Sequence, residues 1–158
     1  MKTADLSDQN PEAQVCEPIF QSFGGNRFFH GPIRTIKCFE DFSLVKRLLS
    51  EKSNGEILVV DAGGSRRCAM LGDILAEMGV RNGWAGGIFN GMIRDSEEIS
   101  TMPFGVKALG THPRRSNKDG QGEENIPVSF AGVTFTPGHF VYADGDGILV
   151  SSDILKMS

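Results

Sequence analysis

Residues that could do chemistry lie between positions 72 and 95. Residues 72–75 read Gly-Asp-Ile-Leu, which predicts a helix start whose unpaired backbone N–H groups can hold an anion. Arg94 and Asp95 follow a glycine-rich apolar run and place a permanent cation beside an oxygen ligand suited to a hard metal ion. Twenty residues separate Asp73 from Arg94, enough for one helix and one strand. Together these groups could bind a small carboxylate and polarise its carbonyl.

Each of these groups also has a plainer interpretation. From spacing alone, Asp73 is an N-cap, and the pair Arg94-Asp95 is a surface ion pair. The glycines of the apolar run indicate close packing, and without the Lys-Ser/Thr step of a P-loop they do not predict nucleotide binding. We expect a structural role for the isolated histidines His30, His112 and His139.

The composition is that of an ordinary globular protein. With 158 residues we expect one domain, 1–158, in which residues 1–12 form a flexible or peripheral segment. The net charge of −4 argues against direct nucleic-acid binding. Arg114, Arg115 and Lys118 form the one basic cluster. Its Pro, Ser, Asn and Gly neighbours predict a solvated loop, and the alternative is contact with an anion or a partner.

The cysteines and the N-terminus bear on where the protein works. Cys16, Cys38 and Cys68 are odd in number and lack metal-ligand spacing, so we expect buried, reduced thiols. The N-terminal residues include acidic side chains and no apolar segment typical of a signal peptide, and no apolar run is long enough to cross a membrane. We therefore expect a cytoplasmic protein without membrane association.

The order of predicted elements suggests the fold class. Period-2 alternation over 32–39 and continuous apolar runs at 57–60 and 84–92 predict strands. Helical spacing predicts one helix that is capped by Ser43 and carries residues 44–49. It predicts a second helix over 68–78, possibly interrupted at Gly72 and ended by Gly79. After residue 105 short apolar runs alternate with Gly, Pro and Asp turns. We expect an α/β fold, a layered sandwich rather than a regularly alternating doubly wound sheet.

Six collinear segments carry a resemblance to a known family. They are 15–20, 23–25, 36–41, 58–61, 130–135 and 142–144. In these segments the chain resembles the family of the regulator of ribonuclease E activity A. That family shares a superfamily with metal-dependent class II aldolases that act on 4-hydroxy-4-methyl-2-oxoglutarate. The aldolase signature is a glycine, three residues, an aspartate, twenty residues and then Arg-Asp. Asp73 and Arg94-Asp95 match it, whereas Ala69 stands at the glycine.

The resemblance implies a β/β/α sandwich of the swivelling-domain type and a homotrimer with sites near the subunit boundaries. It also implies roles for the signature residues. Asp95 would bind a divalent metal ion, Mg²⁺ or Mn²⁺, and Arg94 and Asp73 would be catalytic. We expect the carboxylate of a small 2-oxo acid to bind the N–H groups of Gly72, Asp73, Ile74 and Leu75, while Arg94 binds the oxygen on which the enolate charge develops.

Two functions are compatible with the resemblance. The first is an aldolase that releases pyruvate and also decarboxylates oxaloacetate, since both reactions pass through the same enolate. The second is a non-enzymatic regulator that binds and inhibits ribonuclease E. Some relatives described as regulators lack the aspartate after the arginine. This chain retains Asp95, which favours catalysis.

Overall fold

The computed structural model describes residues 2–157. The helices of this range are α1 (Thr3–Gln9), α2 (Ser43–Leu49), α3 (Asp73–Arg81) and α4 (Ser96–Ile99). The strands are β1 (Gln14–Val15), β2 (Gln21–Ser22), β3 (Phe29–Lys37), β4 (Ile57–Asp61), β5 (Gly86–Ile93), β6 (Gly105–Thr111), β7 (Glu123–Glu124), β8 (Val128–Phe130), β9 (Val133–Phe135), β10 (Phe140–Asp144) and β11 (Gly147–Ser151). Within the described range, no helix is both long enough and apolar enough to cross a membrane.

A nine-stranded sheet forms the centre of the fold. Its middle strands β3, β4, β5 and β6 are parallel neighbours in that order. Strand β2 pairs antiparallel with β6 at one edge, and β10, β11 and β1 continue antiparallel beyond β3. Strand β7 pairs with the end of β3, and β8 and β9 form a separate two-stranded sheet. Strand β4 is buried at every position because both faces of the parallel region are covered.

The two faces of the parallel strands carry different cores. On one face, α2 and its neighbours cover a cluster that includes Leu48, Val60 and Phe89. On the other face, Val59 and Ile88 pack in a second cluster that includes residues of the small sheet β8–β9. The molecule therefore has three layers, β, β and α. This confirms the predicted α/β class and the layered β/β/α sandwich of swivelling-domain type.

The sequence prediction was partly right about the second helix. It allowed a break at Gly72, and α3 does begin directly after it at Asp73, but residues 68–71 are not helical and the helix continues through the predicted stop at Gly79 to Arg81. The preceding residues are held in a strand-like position by β-bridges from Ala69 to Met92 and to Arg115. Local helical spacing could not foresee this pairing, because the partners lie far away in the chain.

The segment predicted to be flexible or peripheral contains α1. Its Leu6 is fully buried against Tyr142 and Leu149. The N–H and hydroxyl of Thr3 donate to the carboxylate of Asp144 at 2.8 and 2.6 Å. These contacts attach the helix to β10.

Candidate active site

The candidate site lies where the parallel strands end. Strand β4 leads into the segment before α3, β5 leads into Arg94 and Asp95, and β6 leads into the loop after Thr111. The carboxyl ends of parallel strands meet at one edge of a sheet, and ligands commonly bind there. The fold thus brings together residues from three separate regions of the chain.

The segment before α3 runs beside the end of β5. The N–H of Met70 donates to the carbonyl of Met92 at 2.8 Å, and the N–H of Arg94 donates to the carbonyl of Leu71 at 2.9 Å. Ala69, at the position of the signature glycine, is not among the residues with positive φ. Its backbone is therefore open to any L-residue, and alanine does not distort the approach to Gly72.

Asp95 connects the two halves of the signature. It has φ 56° and ψ 41°, a left-handed conformation that aspartate tolerates better than most residues. As N-cap of α4 it makes no side-chain cap to its own helix. Instead its Oδ2 accepts a hydrogen bond from the N–H of Asp73 at 2.9 Å. The unusual backbone thus directs the carboxylate to the start of α3.

The structure corrects the interpretation of Asp73 as an N-cap. Gly72 holds the N-cap position, and Asp73 is the first helical residue. Partial burial, a hydrogen bond to Asp95 and the negative charge of Asp95 raise the pKa of Asp73 above its ordinary value. A carboxylate with a raised pKa is a stronger base, so Asp73 is suited to accept and release a proton.

Two of the four amides predicted to hold substrate already donate to side chains. The N–H of Asp73 donates to Asp95, and the N–H of Ile74 donates to Oδ1 of Asp73 at 2.8 Å. Within residues 2–157, the N–H groups of Gly72 and Leu75 have no hydrogen-bond acceptor. The start of α3 thus binds carboxylates, and two of its N–H donors remain available to a ligand.

Gly72 is packed directly against the signature pair. A Cβ atom at this position would lie 2.8 Å from Oδ2 of Asp95 and 3.3 Å from Nε of Arg94. Its φ of −130° is ordinary, so the requirement for glycine is steric and not conformational. The backbone at Gly72 therefore sets how closely Arg94 and Asp95 approach α3.

Arg94 does not form the surface ion pair that was the plainer interpretation. Among the described residues, no salt bridge joins it to Asp95 or to another acid. Its guanidinium makes one long hydrogen bond, 3.4 Å, to the carbonyl of Pro113. Most of its donors therefore remain open towards the cleft.

The residues present fit a hard divalent cation. Asp95 and the nearby Asp73 offer carboxylate oxygens to one cleft, and a cation between them would offset the repulsion that raises the pKa of Asp73. Within residues 2–157, no group of three or more His, Cys, Asp or Glu could form a complete metal cage. Mg²⁺ suits such a sparse set, because it commonly binds one or two carboxylates and keeps waters and substrate as its other ligands.

A cleft of about 310 Å³ contains all the predicted site residues: Gly72, Asp73, Ile74, Leu75, Arg94 and Asp95. Three further cations line it, namely Lys46 of α2 and the loop residues Arg115 and Lys118. The sequence prediction missed Lys46 and favoured a solvated loop for the other two. The alternative it kept open, an anion contact, fits this position better.

The plainer interpretation of the glycines in β5 is supported. A Cβ at Gly86 would lie 2.5 Å from the carbonyl oxygen of Gly105, and one at Gly91 would lie 2.9 Å from Cβ of Ala62. These glycines allow close packing of the strand that carries Arg94. The three cysteines are buried and unpaired, as predicted.

Comparison with known proteins places this geometry in a family. The family model "RraA-like: Aldolase/RraA" matches residues 3–150. A relative from Pseudomonas fluorescens (strain Pf0-1) is 53% identical over 156 residues, 98% of this chain and 96% of the relative. One from Aromatoleum aromaticum is 54% identical over 155 residues, 98% of each chain. Both are named "Putative 4-hydroxy-4-methyl-2-oxoglutarate aldolase".

Two solved structures share the fold over almost the whole chain. The RNA-processing inhibitor RraA from Thermus thermophilis has a TM-score of 0.95 and 42% identity, with 99% of this chain and 95% of that chain covered. A protein from Geobacillus kaustophilus described as S-adenosylmethionine:2-dimethylmenaquinone methyltransferase has a TM-score of 0.96 and 51% identity, with full coverage of both chains. On the extent of these matches, the chain belongs to the RraA-like (Aldolase/RraA) family.

Proposed function

We propose that this protein is a divalent-metal-dependent aldolase that cleaves 4-hydroxy-4-methyl-2-oxoglutarate into two molecules of pyruvate. The observation that carries the proposal is the convergence of Asp73, Arg94 and Asp95 on one cleft at the start of α3. The names of the relatives from Pseudomonas fluorescens and Aromatoleum aromaticum support the same substrate.

The site must support each step of the cleavage. The alcohol at C4 must lose its proton, the C3–C4 bond must break, and the electrons must move onto the C2 carbonyl as an enolate. C4 then leaves as the carbonyl of the first pyruvate. Protonation of the enolate at C3 gives the second pyruvate. The enzyme must therefore accept one proton, return one proton and stabilise negative charge near C2.

The chain's own residues can transfer these protons and stabilise the negative charge. Asp73, whose pKa is raised, accepts the alcohol proton directly or through a water. Arg94 donates hydrogen bonds to the oxygen at C2, where negative charge develops. The substrate's C1 carboxylate lies at the start of α3, where the N–H groups of Gly72 and Leu75 are open. Asp95 would hold Mg²⁺ or Mn²⁺, which as a Lewis acid withdraws electron density from the 2-oxo acid.

The same site would decarboxylate oxaloacetate. When C4 of oxaloacetate leaves as carbon dioxide, the C3–C4 bond breaks and its electron pair stays on C3 as the same pyruvate enolate. The contacts of Arg94 that favour the aldol cleavage favour this reaction too. We therefore propose oxaloacetate decarboxylation as an accompanying activity.

The experiment is to incubate the purified protein with 4-hydroxy-4-methyl-2-oxoglutarate and Mg²⁺ and to follow pyruvate. Wild type should release pyruvate well above the rate with Mg²⁺ alone, and a chelator should stop it. Asp95→Asn should lose nearly all turnover. Glu97→Gln, which removes an exposed carboxylate from the neighbouring helix α4, should retain it. Release by wild type at no more than the metal-only rate would exclude the lyase.

A second candidate is inhibition of ribonuclease E by direct binding. It is favoured by the 42% identity to the RNA-processing inhibitor RraA from Thermus thermophilis. The acidic net charge of −4 is compatible with masking a basic RNA-binding segment of such a partner. A pull-down with ribonuclease E tests it. If Asp95→Asn binds ribonuclease E as well as wild type does, the binding surface is separate from the catalytic cleft.

We also propose a cytoplasmic homotrimer. Large apolar side chains are exposed in the isolated chain, including Val15 at 55%, Phe39 at 56% and Ile74 at 71%. Ile74 is in the first turn of α3 and lines the cleft, so a neighbouring subunit that covers it would also border the site. Light scattering after size-exclusion chromatography should give three times the 17.1 kDa chain mass.

A further inference from the structure

Lys107 is a buried lysine that the proposed chemistry does not use. It lies on β6, and only 3% of it is exposed. Its strand neighbours Val106 and Ala108 belong to the core under α2, so Lys107 faces the opposite side of the sheet. On that side Ile88, its partner on β5, belongs to the second core. Lysine is rarely buried in this way, because its charged form loses hydration.

The ammonium of Lys107 has no fixed acidic partner. In the part of the chain that the structure describes, no salt bridge joins it to a carboxylate. Asp144 and Asp146 are the acids whose charges act on it. The carboxylate of Asp144 is already bound by the N–H and hydroxyl of Thr3 and by the N–H of Asp146. A buried polar group left without a partner indicates a functional site or a missing ligand.

The residue opposite Lys107 also has unused hydrogen-bonding capacity. Ser22 of β2 pairs directly with Lys107 across the antiparallel ladder, so the two side chains lie on the same face. The hydroxyl oxygen of Ser22 is enclosed and, among the described residues, has no hydrogen-bond partner. Two polar groups on adjacent strands are therefore available to a small polar ligand.

A cavity of about 150 Å³ gives such a ligand access to Lys107. Its walls include Cys16 and Glu17, from the connection between β1 and β2, and Asp146, from the turn between β10 and β11. This space suits a small molecule rather than a large cofactor or a peptide. The carboxylates of Glu17 and Asp146 disfavour an anion. A small uncharged ligand therefore fits the cavity best.

The surroundings of Lys107 favour its uncharged amine. Burial lowers the pKa of Lys107, and the nearby charge of Arg27 acts in the same direction. The negative charges of Asp144 and Asp146 and that of a thiolate at Cys16 oppose this shift but do not reverse it. At neutral pH more of this amine is therefore unprotonated than in an exposed lysine. The unprotonated amine is the nucleophilic form, and desolvation is a known way to activate lysine.

We propose that Lys107 is a covalent attachment site for small uncharged aldehydes, which it binds as a Schiff base inside the cavity. The lone pair of the amine attacks the carbonyl carbon, a C–N bond forms, and the π electrons of the carbonyl move to its oxygen. A proton passes from the nitrogen to that oxygen and gives a carbinolamine. The hydroxyl group then takes up a proton and leaves as water while the nitrogen forms the C=N bond and loses its remaining proton.

The reaction balances without an oxidant or a reductant, because amine and aldehyde give imine and water. The carboxylate of Asp146 on the cavity wall would relay the protons between nitrogen and oxygen. The site does not depend on the proposed aldolase reaction, since Lys107 is not among the residues that line the cleft at the start of α3.

Reductive trapping tests the site without turnover and without metal. Wild-type protein is incubated with propanal and sodium cyanoborohydride at pH 7, and peptide mass spectrometry measures how fast each lysine is alkylated. Lys107 should be alkylated severalfold faster than Lys52, which is exposed and outside the cavity. The advantage should shrink as the pH approaches about 10, where exposed lysines in general lose their protons. Alkylation of Lys107 at pH 7 that is no faster than that of Lys52 would overturn the proposal.

Controls separate the cavity from ordinary lysine reactivity. In concentrated urea, where the wild type is unfolded, Lys107 and Lys52 should react at the same rate. An advantage that persists in urea would assign the reactivity to the local sequence and would contradict the site. Lys107→Met should lose the fast alkylation and keep the slow reaction of Lys52.

A charged aldehyde tests the choice of ligand. Glyoxylate carries a carboxylate beside its aldehyde, so the carboxylates of Glu17 and Asp146 should repel it. The rate at Lys107 relative to Lys52 should therefore be severalfold lower with glyoxylate than with propanal. An equal or higher ratio with glyoxylate would show that the cavity accepts anions and that the assignment to uncharged aldehydes is wrong.

Discussion

The main-chain N–H of Asp73 and the carboxylate of Asp95 are joined by a hydrogen bond of 2.9 Å across 22 positions of sequence. The bond connects the start of α3 to the end of β5, and it depends on the left-handed backbone of Asp95. Both the acceptor oxygen and the backbone are features that asparagine can reproduce. The charge is the feature that it cannot reproduce.

Asp95→Asn should therefore be nearly as stable as wild type, whereas Asp95→Ala should be less stable by about 1–2 kcal/mol. Alanine removes the acceptor for the Asp73 N–H and tolerates positive φ less well. Both variants should lack aldolase activity. Urea unfolding of the three proteins checks this, and equal stability of the Asn and Ala variants would contradict the structural role given to the bond.

Gly72→Ala should reduce activity more than stability. The added methyl group would be 2.8 Å from Oδ2 of Asp95, so the carboxylate or the helix start must shift. A misplacement of about 1 Å can lower kcat/KM by about 10²-fold. Overpacking lowers the free energy of unfolding by about 1–3 kcal/mol. Gly145→Ala is the matched control, because a Cβ there meets no atom within 4 Å. Unaltered kcat/KM in Gly72→Ala would show that the approach of Asp95 to α3 is not needed.

Arg94→Lys should lower kcat with little effect on folding. Lysine keeps the charge but loses the planar set of donors, and one missing donor to a developing oxyanion costs about 2.7–4 kcal/mol of barrier. Arg81→Lys is the control, since Arg81 is an exposed residue at the end of α3 that pairs with Glu77. Steady-state kinetics with both substrates measures the effect. A lysine variant with wild-type kcat would remove Arg94 from the chemistry.

Asp41 should make stability depend on pH below neutrality. Burial opposes ionisation of this carboxylate, but hydrogen bonds from Ser43, Asp119 and Gln121 outweigh it and lower the pKa. Its contribution is therefore complete above the unfolded-state pKa of about 3.9 and is lost as the pH falls through the lower folded-state value. Asp41→Asn should lower the free energy of unfolding at pH 7 by about 1–3 kcal/mol. It should also make the free energy of unfolding fall less steeply as the pH is lowered.

Asp144→Asn provides the comparison for that experiment. Burial opposes ionisation of Asp144 too, and hydrogen bonds from Thr3, Asp146 and Gly147 lower its pKa. In both variants, the free energy of unfolding measured by urea unfolding should fall less steeply as the pH is lowered. Only Asp41→Asn should also loosen the loop of residues 117–121, because Asp41, and not Asp144, accepts hydrogen bonds from Asp119 and Gln121. Equally fast hydrogen exchange in that loop for both variants would point to general loosening of the fold.

The thiols should be almost inert in the native protein. Burial, with the charge of Glu17, raises the pKa of Cys16 to about 12, and burial also raises the pKa of Cys38 to about 12. Burial raises the pKa of Cys68 above its ordinary value as well. Very little thiolate of Cys16 or Cys38 is therefore present at pH 8. A thiol-reactive dye should label native protein slowly and denatured protein at three positions. Rapid native labelling would contradict the burial.

The grouping of Asp73, Arg94 and Asp95 around one cleft could be predicted from sequence, and the reason is local. The spacing from Asp73 to Arg94 reflects one helix and one strand, α3 and β5, so a pattern along the chain encoded a contact in space. The extended conformation before Gly72 could not be predicted, since β-bridges to Met92 and Arg115 impose it. Likewise nothing along the chain brings Lys46 to Lys118. That proximity arises where Asp41 and Ser43 bind the loop from the start of α2.

Ala69 has one consequence for how such proteins are recognised. Its carbonyl and N–H both bond to the loop of Arg114 and Ser116, in backbone that any L-amino acid can adopt. A search pattern that insists on glycine here would discard this chain, although Gly72, three positions later, is the place where a side chain meets Asp95. In this chain the steric demand that a glycine meets therefore falls on position 72 and not on position 69.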